Sequence, residues 1–346
     1  MHTETRDIAF FRKQLERITN TILQPFNNIA DAIRNTEDYY ALLKEAALFD
    51  AQSEGSRDDI ILSTGKAIAP VWAAHCVQDV RRTRVFIRGI IQAVYAARKQ
   101  FQDEPLQLLY VGPGPFAPLV LPLTTLFKPE DIQFRFLEIN PLSIALLENT
   151  IRAFGIEDYV AAIEQTDAAT YQVSSPVHIL VVETMQEALR QEPQVAVTLH
   201  LAPQIVPGGF LIPESISVAP GLIDGRRHTE YLLAQEPGPR NYYVTTEPVL
   251  QISQEFARAY TATKPVHFPQ HHTVFTKKQL QTYPHPALFT EIKVFGSEIL
   301  AYWDSPLTEP YLLTLPTPLN GDIELVTQYE ISDTPKLRCT WVKILF

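Results

Sequence analysis

The chain has 346 residues and a net charge of −10, and 46% of its residues are hydrophobic, which is typical of a soluble globular protein with two or three modules. This acidity argues against nucleic acid as a partner, because phosphate binding relies on lysine and arginine, and two cysteines exclude a disulfide framework. No apolar run is long enough to span a bilayer and the N-terminus lacks a signal-peptide core, so we expect a cytoplasmic protein without a membrane partner.

The N-terminal part, residues 1–104, is predicted to be a helical module. Apolar residues recur at helical spacing over residues 8–22, and a second helix is expected over about 36–50. After a polar break, residues 71–101 are predicted to form one long helix or two helices in series.

Strands and helices alternate between residues 105 and 218. The predicted strands are 107–111, 134–138, 159–164, 178–182 and 210–218. The predicted helices are 116–127, 141–154 and 187–201. This alternation predicts an α/β domain with a Rossmann-like, doubly wound, mostly parallel sheet, whose ligand would lie beyond the carboxyl ends of the strands.

The last part, residues 219–346, is rich in proline and in short runs of Tyr, Val, Ile and Thr, which predicts an antiparallel β module. Its aromatic residues would line an acceptor pocket or belong to the core; they are Tyr302, Trp303 and Trp341. Its histidine cluster would contact an acceptor or lie in a plain loop; it contains His267, His271 and His272. We expect no metal, because no nearby carboxylate or cysteine pattern completes a site.

Glycine and acidic residues follow the predicted parallel strands. Gly112 and Gly114 would let the backbone turn sharply after the first strand and approach a ligand closely. Glu138 ends the second strand roughly 24 residues after Gly114, near the spacing at which an acid binds ribose hydroxyls in nucleotide-binding units. Asp167 follows the third strand and Glu183 the fourth. All of them are therefore predicted at the ligand-binding edge of the sheet.

These segments resemble class I S-adenosylmethionine-dependent methyltransferases and, over residues 75–218, the protein arginine methyltransferases. The spacing of Glu183 and Glu192 is similar to that of the two glutamates that clamp the substrate guanidinium in that family. Residues 201–213 are similar to the stretch that leads into the family's fifth strand. The segment 79–83 resembles the helix in which an arginine before threonine holds the cofactor carboxylate, so Arg82 is the candidate.

The resemblance implies S-adenosylmethionine as the cofactor. Glu138 suits the ribose diol, because a carboxylate can accept from both hydroxyls, although a solvent-facing acid at a strand end is the alternative. Arg82 suits a carboxylate as a bidentate fork, or belongs to a solvated basic helix face. Asp167 would accept from the adenine amine or cap a turn. Glu183 and Glu192 would face the methyl acceptor, with Glu187 as a competitor for the second position.

Three functions stay open. Paired carboxylates favour N-methylation of a guanidine or amine in a peptide or small molecule. The sequence after Glu183 differs from that of the arginine methyltransferases, and the family's Thr-His-Trp loop is absent. Both differences favour an O- or C-methyltransferase instead. The third possibility is a non-catalytic binding protein or a nicotinamide-dependent dehydrogenase. The family typically dimerises through an arm in its barrel, and residues 222–260 would be that arm in a homodimer.

Overall fold

The protein has the predicted fold class. Its structure is a computed structural model that describes residues 7–25, 28–102, 104–234, 238–261, 268–316 and 321–343. A central parallel sheet is preceded by helices and followed by antiparallel strands. No helix in the described ranges is long and apolar enough to cross a membrane.

The N-terminal part is helical, as predicted, but it also contains a hairpin. Its elements are α1 (Ile8–Leu23), α2 (Ile29–Ala47), β1 (Ile60–Leu62), β2 (Gly65–Ala67), α3 (Pro70–His75) and α4 (Val80–Gln100). The long predicted helix is therefore two helices in series. A short 3-10 turn separates them, and the Asp79 side chain caps the first turn of α4 by accepting from the Arg82 N–H.

The central part is a five-stranded sheet in which all neighbouring strands are parallel. Its elements are β3 (Leu106–Val111), β4 (Ile132–Glu138), α5 (Pro141–Phe154), β5 (Val160–Gln165), β6 (Ile179–Val182), α6 (Gln194–Leu201) and β7 (Phe210–Ile212). The strand order is β5-β4-β3-β6-β7. The chain reverses direction across the sheet at β3, so the edge beside β3 is the expected ligand site.

Of the helices predicted in this part, the one over residues 116–127 is absent and the one over 187–201 begins later than predicted. Residues 116–127 form turns and the 3-10 segment Leu121–Thr125, because Pro118 and Pro122 interrupt α-helical hydrogen bonding. The helix predicted over 187–201 begins only at Gln194, after an irregular loop.

The predicted strand 210–218 is two strands in different sheets. Strand β7 ends at Ile212 and is followed by Pro213, which has no N–H to continue the ladder. The chain then enters the antiparallel module at Ser215. The fifth parallel strand is therefore shorter than the apolar pattern indicated.

The C-terminal part forms two antiparallel sheets. Its elements are β8 (Ser215–Ile223), α7 (Gly225–Leu233), β9 (Tyr243–Thr245), β10 (Leu250–Ser253), α8 (Gln254–Thr261), β11 (His271–Phe275), α9 (Lys277–Thr282), β12 (His285–Phe295), β13 (Glu298–Leu300), β14 (Tyr311–Leu312), β15 (Ile323–Glu330) and β16 (Lys336–Lys343). One sheet has the order β10-β8-β12-β13, with β9 on β8 and β14 on β12. The other has the order β11-β15-β16.

A continuous core joins the sheet domain to the antiparallel module. Buried side chains of α4, such as Phe86 and Ile90, belong to the same cluster as Ile292 and Val294 of β12. Helix α4 approaches β12 so closely that a Cβ on Gly89 would lie 2.5 Å from a Val294 methyl carbon. The two parts therefore hold a fixed geometry around the cavity between them.

Candidate active site

One cavity of about 470 Å³ opens at the carboxyl ends of β3, β4 and β6. This volume lies within the range typical of small-molecule and cofactor sites. All seven residues that the sequence singled out for cofactor or acceptor line it; they are Arg82, Gly112, Gly114, Glu138, Asp167, Glu183 and Glu192.

The glycine turn after β3 adopts a conformation that other residues rarely adopt. Gly112 has a φ of 73° and Gly114 a φ of 58°. A Cβ on Gly112 would lie 2.7 Å from the Thr184 Cγ2 and 3.1 Å from the Glu183 carbonyl oxygen. The missing side chain at Gly112 therefore lets the turn pack directly against the backbone that follows β6.

Glu138 is buried at the end of β4, with its carboxylate turned toward this turn. One oxygen accepts from the Gly114 N–H at 3.1 Å, and the other accepts from Ile139 and Asn140 at 2.8 and 2.9 Å. Burial raises the pKa of Glu138, while these three backbone hydrogen bonds oppose the rise. The alternative of a solvent-facing acid is therefore wrong, since Glu138 is 8% exposed.

Asp167 lines the cavity beyond the end of β5 and also caps a turn. One carboxylate oxygen accepts from the Ala169 N–H at 2.9 Å. The two interpretations of Asp167 are thus compatible in the structure, because a carboxylate with one such bond retains acceptor capacity.

Arg82 and Glu183 form a buried ion pair across the cavity wall. The Arg82 Nε donates to Glu183 Oε1 at 3.0 Å, its Nη2 donates to Glu183 Oε2, and its Nη1 donates to the Cys76 carbonyl oxygen at 2.9 Å. Burial alone would lower the pKa of Arg82, but the Glu183 carboxylate raises it overall. Arg82 is 4% exposed, so it is not part of a solvated basic face.

A side chain of the C-terminal part contacts the residue that caps α4. Asp79, whose first oxygen caps α4, accepts with its second oxygen from the Ser305 hydroxyl. The following residues Pro306 and Leu307 line the cavity. The antiparallel module therefore contributes one wall of the site and contacts the helix that carries Arg82.

Glu192 is the second carboxyl group on the acceptor side of the cavity. It is 6% exposed, and burial followed by the nearby Glu183 carboxylate raises its pKa to about 8. A hydrogen bond from Gln186 and the charges of Lys66 and Arg82 act in the opposite direction. Glu192 is therefore mostly protonated at neutral pH, whereas Glu183 forms an ion pair with Arg82.

Both glutamates belong to one loop, residues 183–193, which we call the glutamate loop. Three of its non-glycine residues have left-handed backbone, with φ values of 55° at Ala188, 53° at Leu189 and 67° at Gln191. Each such conformation costs on the order of 1–3 kcal/mol and persists only where surrounding contacts impose it. The strain is concentrated next to Glu192.

The β1–β2 hairpin of the N-terminal part packs against the glutamate loop. The Lys66 N–H donates to the Gln191 carbonyl oxygen at 2.8 Å, and a Cβ on Gly65 would lie 2.8 Å from the same oxygen. The Lys66 ammonium pairs with Asp59 at 3.0 Å and lines the cavity. This hairpin was not predicted, although Thr64-Gly65 between two β-prone runs is a turn signal.

Several residues considered from sequence lie elsewhere. Glu187 pairs with Arg190 and does not line the cavity, so Glu192 rather than Glu187 faces it. Tyr302 and Trp303 pack with Tyr243 and Phe289. The Trp341 Nε1 donates to the Thr314 carbonyl oxygen. These aromatic residues belong to the module's own packing.

The histidine cluster is only partly within the described residues. His267 lies outside them, while His271 and His272 are on β11, and His272 contacts Glu324 at 3.1 Å. Neither described histidine lines the cavity. Within the described ranges, no group of three or more His, Cys, Asp and Glu residues is arranged to hold a metal ion.

No protein-family model and no curated protein sequence matches the chain. Three similar solved structures are the Trypanosoma brucei PRMT1 enzyme–prozyme heterotetrameric complex with AdoHcy, PRMT6, and Arabidopsis thaliana protein arginine methyltransferase 10 in an open conformation. Their TM-scores are 0.49, 0.46 and 0.46, at sequence identities of 13%, 13% and 10%. The matches cover 77%, 74% and 69% of this chain and 96%, 97% and 84% of the other chains. At this identity the likeness is one of architecture, and the function proposed below is based on the residues of this chain.

Proposed function

We propose that this chain is an S-adenosylmethionine-dependent methyltransferase that methylates a nitrogen of a guanidine or amine in a peptide or small molecule. One observation carries the proposal. A single cavity is lined by the glycine turn, by the buried Glu138 and Arg82, and by two carboxyl groups with different environments, those of Glu183 and Glu192. Arg82, which we assign to the cofactor, contacts Glu183, so the cofactor and acceptor positions would adjoin in this cavity.

The residues present fit the cofactor. Glu138 can accept from a ribose hydroxyl with the Oε2 lone pair that its three backbone hydrogen bonds leave, and Asp167 retains an oxygen for an exocyclic amine. The contacts described for Arg82 use three of its five N–H groups, which leaves one side of the fork for a carboxylate. When bound, S-adenosylmethionine supplies an electrophilic methyl group on a sulfonium.

The acceptor nitrogen must lose a proton as it gains a methyl group, and we assign the ionised form of Glu192, a minority at neutral pH, to receive it. A base with a pKa near the working pH is the most effective, and about 8 meets that condition. Glu183, fixed by Arg82, orients the acceptor from the other side. The main contribution of the chain is therefore positioning, with one proton accepted at the Glu192 carboxylate.

The charge state of the pair also supports a second candidate. Because Arg82 neutralises Glu183 and Glu192 is protonated at pH 7, the cavity presents less negative charge than two free carboxylates would. A neutral hydroxyl, carboxyl or carbon acceptor is then tolerated, which corresponds to an O- or C-methyltransferase.

The test is methyl transfer from methyl-labelled S-adenosylmethionine to a panel of guanidines, amines and peptides, followed by alkali. We expect label that resists alkali and a decrease of about 10²-fold or more for Glu192→Gln. Glu187→Gln is the matched control, because it removes a carboxylate from the same loop outside the cavity, and should retain activity. Label released as methanol would show a methyl ester and replace this proposal with O-methylation of a carboxyl group, while a methylated carbon in the product, identified by mass spectrometry, would replace it with C-methylation. Activity lost equally in both variants would exclude the role of Glu192.

A homodimer is also part of the proposal. Helix α7 lies in the segment predicted to form a dimerisation arm and has no buried residue, and Leu232 and Leu233 are exposed. Sedimentation of the purified protein would show whether it associates.

A further inference from the structure

The glutamate loop is held by the antiparallel module, residue by residue, at its strained part. The Ala188 N–H donates to the Thr290 hydroxyl at 2.9 Å, and the Tyr329 hydroxyl donates to the Leu189 carbonyl oxygen at 2.6 Å. The Gln191 N–H donates to the Pro335 carbonyl oxygen at 2.8 Å.

The remaining residue of this run is held through its side chain. The Arg190 guanidinium lies 4.5 Å from the centre of the Tyr311 ring. Four consecutive loop residues therefore each contact a different residue of the module: one on β12, one on β14, one on β15 and one in the turn before β16. A run of left-handed residues does not keep its shape by itself, so these contacts determine it.

We propose that Tyr329 and Thr290 are positioning residues that set the place of the Glu192 carboxyl group by holding the strained run 188–191. Both are almost fully buried, at 4% and 1% exposed. Neither lines the cavity, so both act through the loop. The proposal rests on the proposed function for its kinetic consequence, but the placement of Glu192 can be measured without turnover.

The glutamate loop lies at the boundary between the sheet domain and the antiparallel module. Its irregular backbone explains why side-chain hydroxyls of the module, rather than a strand, bind it. A hydroxyl group can bond a backbone that follows neither a helix nor a strand, and here two hydroxyls pair the Ala188 N–H and the Leu189 carbonyl oxygen. If the Tyr329 hydroxyl is removed, the Leu189 carbonyl oxygen loses its partner in a buried place.

The test compares Tyr329→Phe with Tyr159→Phe. Tyr159 is a matched control, because it is also buried and its hydroxyl donates to a backbone carbonyl, that of Phe127 at 2.8 Å, away from the cavity. We expect Tyr329→Phe to lower kcat/KM for the acceptor about tenfold or more, since small displacements of a positioned group have effects of this size. Affinity for S-adenosylhomocysteine should change in neither variant.

Carboxyl NMR of protein labelled at glutamate gives a readout that does not need activity, with Glu192→Gln assigning the signal. The charged groups around Glu192 are Glu183, Lys66 and Arg82, and none of them is altered. Loosening the loop admits water, so Tyr329→Phe should lower the titration midpoint of Glu192 by about one pH unit. Thr290→Val, which retains the volume, should have the same effect and replaces Tyr329→Phe if that variant does not fold.

The two proposals can fail separately. If the wild-type protein transfers no methyl group, the proposed function fails, while the Glu192 titration still decides the positioning role. If Tyr329→Phe and Thr290→Val leave both kcat/KM and the Glu192 titration as in Tyr159→Phe, the positioning role is overturned.

Discussion

Glu192 is the residue whose environment departs most clearly from that of an ordinary carboxyl group in the cavity. It is buried beside another carboxylate, and the opposing charges nearby do not restore its usual pKa. Its neighbour Glu183 forms a buried ion pair with Arg82. Because the two adjacent carboxyl groups have different environments, they can have different roles: Glu183 orients the acceptor and Glu192 accepts a proton.

Replacing Glu192 by glutamine should change how stability depends on pH. The pKa of this carboxyl is about 8 in the folded protein against 4.5 as the ordinary value, so the folded state binds more protons between these values. The free energy of unfolding should therefore fall as pH rises from about 4.5 to 8, by up to ~1.4 kcal/mol per unit. Urea unfolding at several pH values should show this slope reduced in Glu192→Gln; an unchanged slope would contradict the burial of an ionisable Glu192.

The ion pair between Arg82 and Glu183 should show strong coupling. Removing one partner of a buried pair leaves an uncompensated charge and costs about 3–5 kcal/mol. We expect Arg82→Met and Glu183→Gln each to lower the free energy of unfolding by such amounts and the double variant to lose less than their sum. Additive losses would show that the pair does not form in solution.

At the scale of elements, the β1–β2 hairpin and the glutamate loop fit together through one glycine. Gly65 has a φ of 141°, and a Cβ there would come within 2.9 Å of three backbone atoms of residues 191–193. Backbone atoms cannot move aside as a flexible side chain can, so the hairpin and the loop would separate.

We expect Gly65→Ala to be destabilising and to lower acceptor turnover, while cofactor affinity changes little. Gly55→Ala is the control, because Gly55 also has a positive φ, 75°, but has no atom within 4 Å of the added Cβ. Thermal unfolding and acceptor kinetics of the two variants separate the effect of contact from that of backbone strain. Equal behaviour of both would mean that the hairpin does not support the loop.

Local patterns predicted the elements that carry the cofactor side of the site. The apolar run of β3, the glycine turn and Glu138 are close in sequence, and their geometry follows from strand and turn chemistry. The helix predicted over 116–127 does not form, because Pro118 and Pro122 within it interrupt α-helical hydrogen bonding.

The contacts that position the acceptor residues could not be predicted from the sequence. Arg82 and Glu183 are 101 positions apart, and their pairing depends on how α4 packs on the sheet. The contacts of Thr290 and Tyr329 with the glutamate loop span 102 and 140 positions. Such contacts leave no signal in the spacing of a single sequence, because any polar residue on those strands would fit the same pattern.

At the scale of the whole molecule, one hydrophobic cluster extends through the three parts, two smaller clusters lie within the antiparallel module, and residues of all three parts line the cavity. We expect a single cooperative unfolding transition in urea, with far-UV circular dichroism and tryptophan fluorescence changing together. Trp72 reports on the N-terminal part at the cavity, while Trp303 and Trp341 report on the antiparallel module. Two separated transitions would contradict the continuous core.

The most direct test of the account is the binding of S-adenosylhomocysteine measured by isothermal titration calorimetry. We expect one site per chain, with affinity lowered about tenfold or more by Glu138→Ala, because this variant would lose a charge-assisted hydrogen bond to the ribose and the carboxylate that accepts from the Gly114 N–H. Glu187→Gln should leave the affinity unchanged. Absence of binding to S-adenosylhomocysteine, together with binding of a nicotinamide dinucleotide in the same cavity, would contradict the assignment as a methyltransferase.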